Sequence, residues 1–369
     1  MEFTALKESF VIAAQNVLRA VPGKTERADL SGILIAAGEG IVTLSGTDTE
    51  LGIKCQFPAQ INTSGETLLP GRYLVDILRR LPPGPLLFKM EPSNDHIYIN
   101  SGASHFELLA LPSDRFPRLQ FDDQAAVAQV PELALRTGIN QVAFAAARDG
   151  LRQLLNSVLI SFENKKMRLV ATDGHRLALA ETVELDQDIP GEYLVPVRTL
   201  EEVARLIAGE EEVQIAGSER QIAFRTKNTL VQSSLVEGKY LPYTSVIPTE
   251  FSWQAVIKRT DLLAALERAE LFSADKINAV NLKLTAEGIE VFAQSADIGR
   301  VQELVPAEIE GGELDISFNV RYLLEPLKIL AADKIQLDFT GPESAALISP
   351  TGSTNYRYLV MPVTTRATA

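Results

Sequence analysis

The chain has 369 residues, of which 46% are hydrophobic and 22% are charged, and its formal net charge is −13. This composition is typical of a soluble globular protein with two or three domains. The sequence contains no apolar run of membrane-spanning length, and its first residues lack the apolar core of a signal peptide, so we expect no membrane partner. The single cysteine, Cys55, excludes an intrachain disulfide bond. It fits a reducing compartment, so we expect a cytoplasmic protein.

The same order of elements is predicted three times along the chain. Apolar periodicity predicts helices in the first third over residues 6–21 and 71–81, in the second over 133–147 and 197–207, and in the last over 261–271 and 320–330. Gly138 interrupts the third of these helices, and Thr260-Asp261 is the predicted N-cap pair of the fifth. Between the helices of each pair lies a predicted β-hairpin, opened by Leu34, Leu159 and Leu282 respectively.

The second helix of each third carries an arginine at the same place. Arg72, Arg198 and Arg321 fall in register at spacings of 126 and 123 residues, about a third of the chain. A repeat of this length predicts three copies of one α+β domain with mostly antiparallel strands. Proline-marked connections predict domain boundaries that divide the chain into residues 1–122, 123–249 and 250–369.

The acidic net charge taken alone argues against a nucleic-acid partner, which usually leaves a basic footprint. The acid is concentrated away from the repeated helices, for example at residues 210–212 and 181–188. The arginines of these helices are consistent with two interpretations, an ordinary solvated helix face or a surface that contacts DNA. Composition does not decide between them.

The sequence contains few residues that could support catalysis. Its three histidines, at 96, 105 and 175, have no zinc-site spacing, and Gly23-Lys24-Thr25 lacks the rest of a phosphate-binding loop. We therefore expect no metal and no cofactor. Asp173 and His175 form the one candidate acid/base pair, because residues two apart on a strand share a face. A small-molecule hydrolase that uses this pair is the alternative function, although no nucleophile lies nearby in the sequence.

Several motifs resemble those of a known family. Residues 171–178, Ala-Thr-Asp-Gly-His-Arg-Leu-Ala, resemble the central signature of the bacterial DNA polymerase III beta subunit, the replicative sliding clamp. Residues 116–117, 235–242, 318–322 and 360–363 also resemble that family, in the same order along the chain. The threefold repeat resembles its three-domain architecture.

This resemblance implies three domains of the DNA-clamp type, with antiparallel sheets outside and helices lining a ring that a head-to-tail homodimer closes. Such a ring encircles double-stranded DNA without reading its sequence and has no catalytic activity. It confers processivity on the replicative polymerase. The residues expected to face DNA are Lys24, Arg72, Arg79, Arg80, Arg148, Arg152, Arg198, Arg205, Arg321 and Lys328.

The resemblance also implies a pocket for short apolar peptides of the polymerase, the clamp loader and repair proteins. Its expected residues are Leu155, Thr172, Gly174, His175, Arg176, Leu177, Pro242, Val246, Asn319, Tyr322, Leu359, Met361, Pro362 and Val363. The expected dimer contacts are Phe106, Leu108, Leu271 and Phe272. Ser245, where the family commonly has an arginine nearby, and the polar tail Thr364–Ala369 depart from the family pattern. A docking scaffold that never meets DNA remains a third interpretation.

Overall fold

The computed structural model of the chain describes residues 1–91, 96–119, 127–148, 152–182, 185, 191–207, 209, 211–273 and 278–363. The predicted boundary at 122 and the tail Thr364–Ala369 lie outside these residues. Within them, no helix is long and apolar enough to cross a membrane.

Each third of the chain begins with a strand and a helix, continues with a run of strands, and ends with a second helix and three more strands. The first third forms β1 (Glu2–Leu6), α1 (Lys7–Leu18), β2 (Gly32–Gly38), β3 (Ile41–Thr47), β4 (Leu51–Pro58), β5 (Gln60–Thr63), β6 (Gly65–Pro70), α2 (Gly71–Arg80), β7 (Pro85–Met90), β8 (His96–Ser101) and β9 (Ser104–Leu109). The second forms β10 (Val127–Pro131), α3 (Glu132–Ala143), β11 (Ser157–Glu163), β12 (Lys166–Thr172), β13 (Arg176–Glu181), β14 (Gly191–Pro196), α4 (Val197–Leu206), β15 (Glu212–Gly217), β16 (Gln221–Arg225) and β17 (Thr229–Ser234). The third forms β18 (Trp253–Lys258), α5 (Arg259–Glu270), β19 (Ala279–Thr285), β20 (Gly288–Ser295), β21 (Gly299–Glu310), β22 (Leu314–Asn319), α6 (Val320–Ile329), β23 (Lys334–Phe339), β24 (Ala346–Pro350) and β25 (Tyr356–Val360).

All six predicted helices are present, although two details of the sequence interpretation are wrong. Helix α5 begins at Arg259, and neither Thr260 nor Asp261 stands at the N-cap position, which Lys258 occupies without a side-chain bond. Helix α3 continues through Gly138, where a Cβ atom would meet a Leu169 methyl group at 3.1 Å. The glycine therefore permits close packing of the helix on β12 and does not interrupt it.

The three predicted hairpins are also present, and their tight turns have the expected left-handed residues. Glu39 and Gly40 have positive φ in the first turn, and Asn164 and Lys165 have positive φ in the second. The third hairpin is offset by one residue from the prediction that Leu34, Leu159 and Leu282 are equivalent. Leu34 pairs with Leu68, and Leu159 pairs with Leu194. Leu68 and Leu194 each stand two residues before the proline that precedes the second helix of the repeat. In the third repeat the matching position belongs to Asn281, which pairs with Ser317, and not to Leu282.

The chain divides into two compact units, which we describe separately. The first contains Met1–Leu133 and Arg198–Leu235. Its strands form a five-stranded sheet, ordered β5-β1-β7-β8-β9, and an eight-stranded sheet, ordered β10-β15-β16-β17-β4-β3-β2-β6. The second contains Ala134–Val197 and Val236–Ala369. Its strands form one sheet, ordered β14-β11-β12-β13-β25-β24-β23-β18-β21-β20-β19-β22.

An aromatic cluster fills the centre of the first repeat. Phe10 of α1 is fully buried and packs against Phe3, Phe57 and Phe88, with ring centroids 5.2 to 6.2 Å apart. Phe3 and Phe88 stack at 4.8 Å. The helix is thereby fixed to strands β1, β4 and β7 by apolar burial and ring packing.

We expect Phe10→Ala to lower the free energy of unfolding by about 3–5 kcal/mol, because it removes a fully buried ring and leaves a cavity. Ile12→Ala on the same helix is the matched control, since Ile12 is 59% exposed. Urea unfolding, followed by far-ultraviolet circular dichroism, measures the stability of both variants. Equal midpoints for the two would contradict the central role of this cluster.

Candidate functional site

The segment that carries the family signature is a turn between two strands. Strand β12 ends at Thr172, strand β13 begins at Arg176, and Gly174 between them has φ +92°. The Asp173 carboxylate accepts hydrogen bonds from the backbone N–H groups of His175 and Arg176, at 2.9 and 3.1 Å. The Thr172 hydroxyl closes the turn by donating to the Arg176 carbonyl at 2.5 Å.

This geometry corrects the expectation that Asp173 and His175 face each other on a strand. Asp173 holds the turn, and its second carboxylate oxygen accepts from Arg176 Nε at 2.9 Å. The His175 side chain is exposed, and no hydrogen bond joins it to Asp173. Among the described residues no group of three or more His, Cys, Asp or Glu side chains is placed to hold a metal ion.

Arg176 is the most heavily contacted polar side chain of this region. Its guanidinium forms ion pairs with Asp173 and Glu325 and donates to the Phe144 carbonyl at 2.7 Å. Its central carbon lies 4.4 Å from the centroid of the Tyr322 ring, a cation–π arrangement. One side chain thus joins the β12–β13 turn to helix α6.

Tyr358 is buried in the same region and hydrogen-bonds to helix α6. Burial raises the pKa of its phenol above the ordinary range, so the group stays protonated and donates to the Tyr322 carbonyl at 2.8 Å. Strand β25, which carries Tyr358, pairs antiparallel with β13, so that Leu177 lies opposite Leu359. One residue beyond β25, Met361 N–H donates to the His175 carbonyl at 2.9 Å, which continues the same antiparallel register.

Beside this turn lies an apolar wall formed by one buried cluster. Leu177 and Leu359 belong to it, and the cluster as a whole comprises Leu159, Val170, Leu177, Leu179, Leu194, Tyr240, Leu347 and Leu359. Residues from the connection that follows β17 pack against it, among them Val236, Tyr243 and Ile247. The connection is therefore part of the wall and not a free linker.

The predicted pocket residues divide into three groups by their surroundings. Leu155, Thr172, Leu177 and Leu359 are buried. The half-buried group is Arg176, Asn319, Tyr322, Pro362 and Val363, and the Asn319 side chain caps helix α6 by accepting from Arg321 N–H at 3.0 Å. The exposed group is Gly174, His175, Pro242, Val246 and Met361, with Val246 at 54% and Met361 at 43%. The residues brought together by direct contacts are Thr172, Gly174, His175, Arg176, Leu177, Tyr322, Leu359 and Met361.

The sequence interpretation missed three members of this arrangement. Glu325 and the Phe144 carbonyl hold Arg176, and Leu154, rather than only its neighbour Leu155, packs on the apolar wall. Glu325 lies one helical turn after Tyr322, so helix periodicity could have indicated that the two share a face. No sequence signal points to a backbone carbonyl.

The predicted DNA-facing cations are exposed, but several are paired with acids. Arg198 contacts Asp48 at 2.6 Å, Arg205 contacts Glu202 at 2.6 Å, and Lys328 contacts Glu267 at 3.4 Å. Arg321 and Arg80 also have acidic neighbours, Glu270 and Asp76. Within the described residues, no ion pair involves Lys24, Arg72, Arg79 or Arg152. Arg148 is exposed as well.

Three α+β repeats of one design, each with an arginine on its second helix, are the architecture expected of a clamp-type protein. Models of the DNA polymerase III beta subunit match the chain throughout: the N-terminal domain over residues 1–120, the central domain over 129–242 and the C-terminal domain over 244–364. The chain belongs to the DNA polymerase III beta subunit family.

Relatives and solved structures agree with this assignment. The chain is 34% identical to the beta sliding clamp of Synechococcus elongatus over 95% of its own length and 96% of that protein. It is 32% identical to the beta sliding clamp of Bacillus subtilis, covering 99% and 100% of the two chains. The crystal structure of the Bacillus subtilis DNA polymerase sliding clamp superposes with a TM-score of 0.94 over 99% of this chain and 100% of that one. A Pseudomonas aeruginosa sliding clamp bound to griselimycin, 28% identical, also has a TM-score of 0.94 and the same coverage.

We expect Arg176→Ala to lower the free energy of unfolding by about 2–3 kcal/mol, because it leaves two carboxylates without their cation while Glu325 stays partly solvated. Hydrogen exchange should quicken at residues 172–177 and 320–329. Arg357→Ala, an exposed arginine on β25, is the control. Unchanged exchange in both segments would show that Arg176 does not join the turn to α6.

Proposed function

We propose that this protein is a homodimeric sliding clamp that encircles duplex DNA, tethers the replicative polymerase and other DNA-processing proteins, and catalyses no reaction of its own. One observation carries the proposal: models of the beta-subunit family match residues 1–120, 129–242 and 244–364, and the three repeats share one order of strands and helices apart from the additional strand β5. We place its activity at the replicating chromosome, in the cytoplasm. The hydrolase alternative gains no support, because Asp173 is engaged in a turn and does not contact the His175 side chain.

Enclosure requires only weak contact between the protein and DNA. Phosphate contacts from arginine and lysine side chains act on any sequence, and ordered water at the interface permits sliding. The acidic partners weaken the electrostatic attraction between four of these cations and phosphate, namely Arg198, Arg205, Arg321 and Lys328. Lys24, Arg72 and Arg79 are therefore the strongest candidates for direct phosphate contact.

We expect the triple variant Lys24→Gln, Arg72→Gln, Arg79→Gln to weaken DNA binding and to reduce the slope of log K against log salt by about 2 to 3, since each lost phosphate contact lowers it by about 0.9. Fluorescence anisotropy with a labelled duplex measures the slope. The control is Arg27→Gln, Lys283→Gln, Lys334→Gln, which removes equal charge at cations paired with Asp29, Glu313 and Glu308. Equal slopes for the two triple variants would contradict the assignment.

We propose that a second copy closes the ring by pairing strand edges. Inside the chain, the last strand of one repeat pairs with the strand that follows the hairpin of another: β17 with β4, and β25 with β13. In these pairs Val231 lies opposite Ile53, and Tyr358 lies opposite Ala178. The remaining strands of the two types are β9 and β21. In the described residues β9 pairs only with β8, and Gly299–Pro306 of β21 pairs only with β20.

The hairpin registers give the expected pairing between copies. By these registers, Phe106 of β9 is equivalent to Val231 of β17 and Tyr358 of β25. Val301 of β21 is equivalent to Ile53 of β4 and Ala178 of β13. Phe106 should therefore lie opposite Val301 of the second copy. The same antiparallel register sets Glu107 opposite Arg300 and Leu109 opposite Ile298. The last two are 62% and 60% exposed in the isolated chain. Opposite charges and apolar side chains thus meet along an edge that otherwise stays open.

Leu271 and Phe272 follow helix α5 directly, and Leu271 is 68% exposed. We expect Leu271→Ala with Phe272→Ala to convert the dimer into monomers, because the substitutions remove apolar area from the proposed contact. Size-exclusion chromatography with light scattering measures the mass. Leu133→Ala is the control, since Leu133 is 56% exposed and belongs to neither edge. A double variant that elutes as a dimer at low concentration would refute this placement.

We propose that partner proteins bind with short apolar peptides beside the β12–β13 turn. The apolar wall that ends in Leu177 and Leu359, together with exposed Val246 and Met361, supplies the surface. Methionine adapts to different side chains, which suits several competing partners. The Pseudomonas aeruginosa relative solved with griselimycin is consistent with ligand binding by clamps of this type. Ser245, whose hydroxyl donates to the Pro242 carbonyl at 2.8 Å, shapes the exposed side of this surface.

A further inference from the structure

After the last strand of each repeat, the chain returns to the strand that precedes the second helix of that repeat. A backbone N–H then donates to the carbonyl of a residue on the strand that precedes the second helix, at 2.7 to 2.8 Å. The three hydrogen bonds run from Leu111 to Leu68, from Val236 to Leu194 and from Val363 to Ser317. The three acceptors occupy matching positions, each two residues before the end of its strand.

In the first two repeats the returning chain covers apolar residues. Phe116 is buried against Leu34 and Leu68 in the first repeat. Tyr240 is buried with Leu159 and Leu194 in the second. A segment of the chain itself thus occupies each of these two faces.

The matching face of the third repeat is polar, and no described residue covers it as Phe116 and Tyr240 cover the other two. Asn281 and Ser317 stand where the other repeats have leucines, and Asn281 donates to Ser317 at 3.2 Å. A cleft of about 560 Å³ lies here, lined by Asn281, Asp315, Ile316, Ser317, Pro342, Glu343, Met361, Pro362 and Val363. Strand β22 runs along it as an edge strand that, in the described part of the chain, pairs only with β19. Such an edge can accept an extended segment through main-chain hydrogen bonds.

The first repeat shows which side chain suits this place. Glu66, two residues before Leu68, accepts a hydrogen bond from Arg118 Nη2 at 2.7 Å, and Arg118 belongs to the returning chain. Asp315, two residues before Ser317, is the matching acid of the third repeat. It accepts a hydrogen bond from the Asn281 amide, and no ion pair between described residues involves it. The nearby Lys283 pairs with Glu313.

We propose that the cleft beside β22 binds an extended peptide segment of a partner protein that carries a basic side chain, which pairs with Asp315 as Arg118 pairs with Glu66. Glu343, which also lines the cleft, adds to its negative charge. Charge complementarity therefore selects arginine or lysine, and the edge of β22 holds the peptide backbone. Since Met361, Pro362 and Val363 line the cleft and also belong to the proposed peptide pocket, one partner segment can occupy both.

The chain's own arginine beyond Val363 does not reproduce the spacing of the first repeat. Arg118 follows Leu111 by seven residues, whereas Arg366 follows Val363 by three. We therefore assign the basic side chain to a partner. Occupation by the chain's own continuation is a separate outcome of the test.

The test uses the full chain and two fluorescein-labelled nonapeptides with the sequence of residues 111–119, both carrying Phe116→Ser to suit the polar floor. The second peptide also carries Arg118→Glu. Fluorescence anisotropy at low salt should show at least about tenfold tighter binding of the arginine peptide, the effect of one charge-assisted hydrogen bond. Asp315→Asn with Glu343→Gln should remove this preference. The charge-matched control Glu250→Gln with Glu287→Gln, at two exposed acids, should keep it.

Equal binding of the two peptides, no binding of either, or a preference that survives Asp315→Asn with Glu343→Gln would overturn the proposal. Binding only to a variant that ends at Val363 would assign the cleft to the chain's own continuation and would also reject a partner's peptide. None of these outcomes bears on the salt dependence of DNA binding or on the dimer, so the proposed clamp function is tested separately.

Discussion

The structure depends on one recurring interaction, the antiparallel pairing of a repeat's last strand with the strand that follows the hairpin of a neighbouring repeat. The β17–β4 and β13–β25 pairs make this contact twice within the chain, with matching registers. Main-chain hydrogen bonds give such a contact its direction, and buried side chains on the strands fix its register. Because each repeat has one strand of each type, β9 and the first part of β21 have no such partner within the described part of the chain. The simplest consequence is a ring of two copies, in which β9 of each copy pairs with β21 of the other.

The Arg176 cluster stabilises the same junction, beside which we propose that partner peptides bind. Asp173, Glu325 and the Phe144 carbonyl satisfy the guanidinium, and the Tyr322 ring lies against it. A charge removed this far from water is costly unless it is fully paired. These contacts fix the turn beside Leu177 and Leu359, so that in the proposed complex a docking peptide would not need to order this surface first. The segment that offered a candidate acid/base pair in the sequence thus holds a turn and joins it to helix α6.

The sequence predicted the elements well where a local pattern was strong. Turn residues such as Asn164 and Gly40 located the hairpins, and the arginine repeat located helices α2, α4 and α6. The sequence did not predict features that depend on tertiary packing. Gly138 looked like a helix breaker because its close approach to Leu169 is invisible in one sequence. The prediction placed Leu282 where the structure has Asn281. The one-residue offset follows from the pairing of Asn281 with Ser317, and cross-strand pairing is not visible in one sequence. The strands between each hairpin and the second helix also escaped prediction, as did the roles of Glu325 and Phe144.

The central claim concerns the register in which a second copy pairs with the open edges, and a pair of cysteines tests it most directly. In a chain with Leu109→Cys and Ile298→Cys, the proposed register brings the two sulfur atoms together across the interface, while native Cys55 is buried and, with its pKa raised by burial to about 11, unreactive at neutral pH. Mild oxidation should then yield a covalently closed dimer that stays on circular DNA in denaturant and leaves it when the circle is cut. Leu109→Cys with Gln302→Cys, out of register by four residues, should not cross-link. Failure of the first pair, or equal cross-linking by the second, would contradict the account.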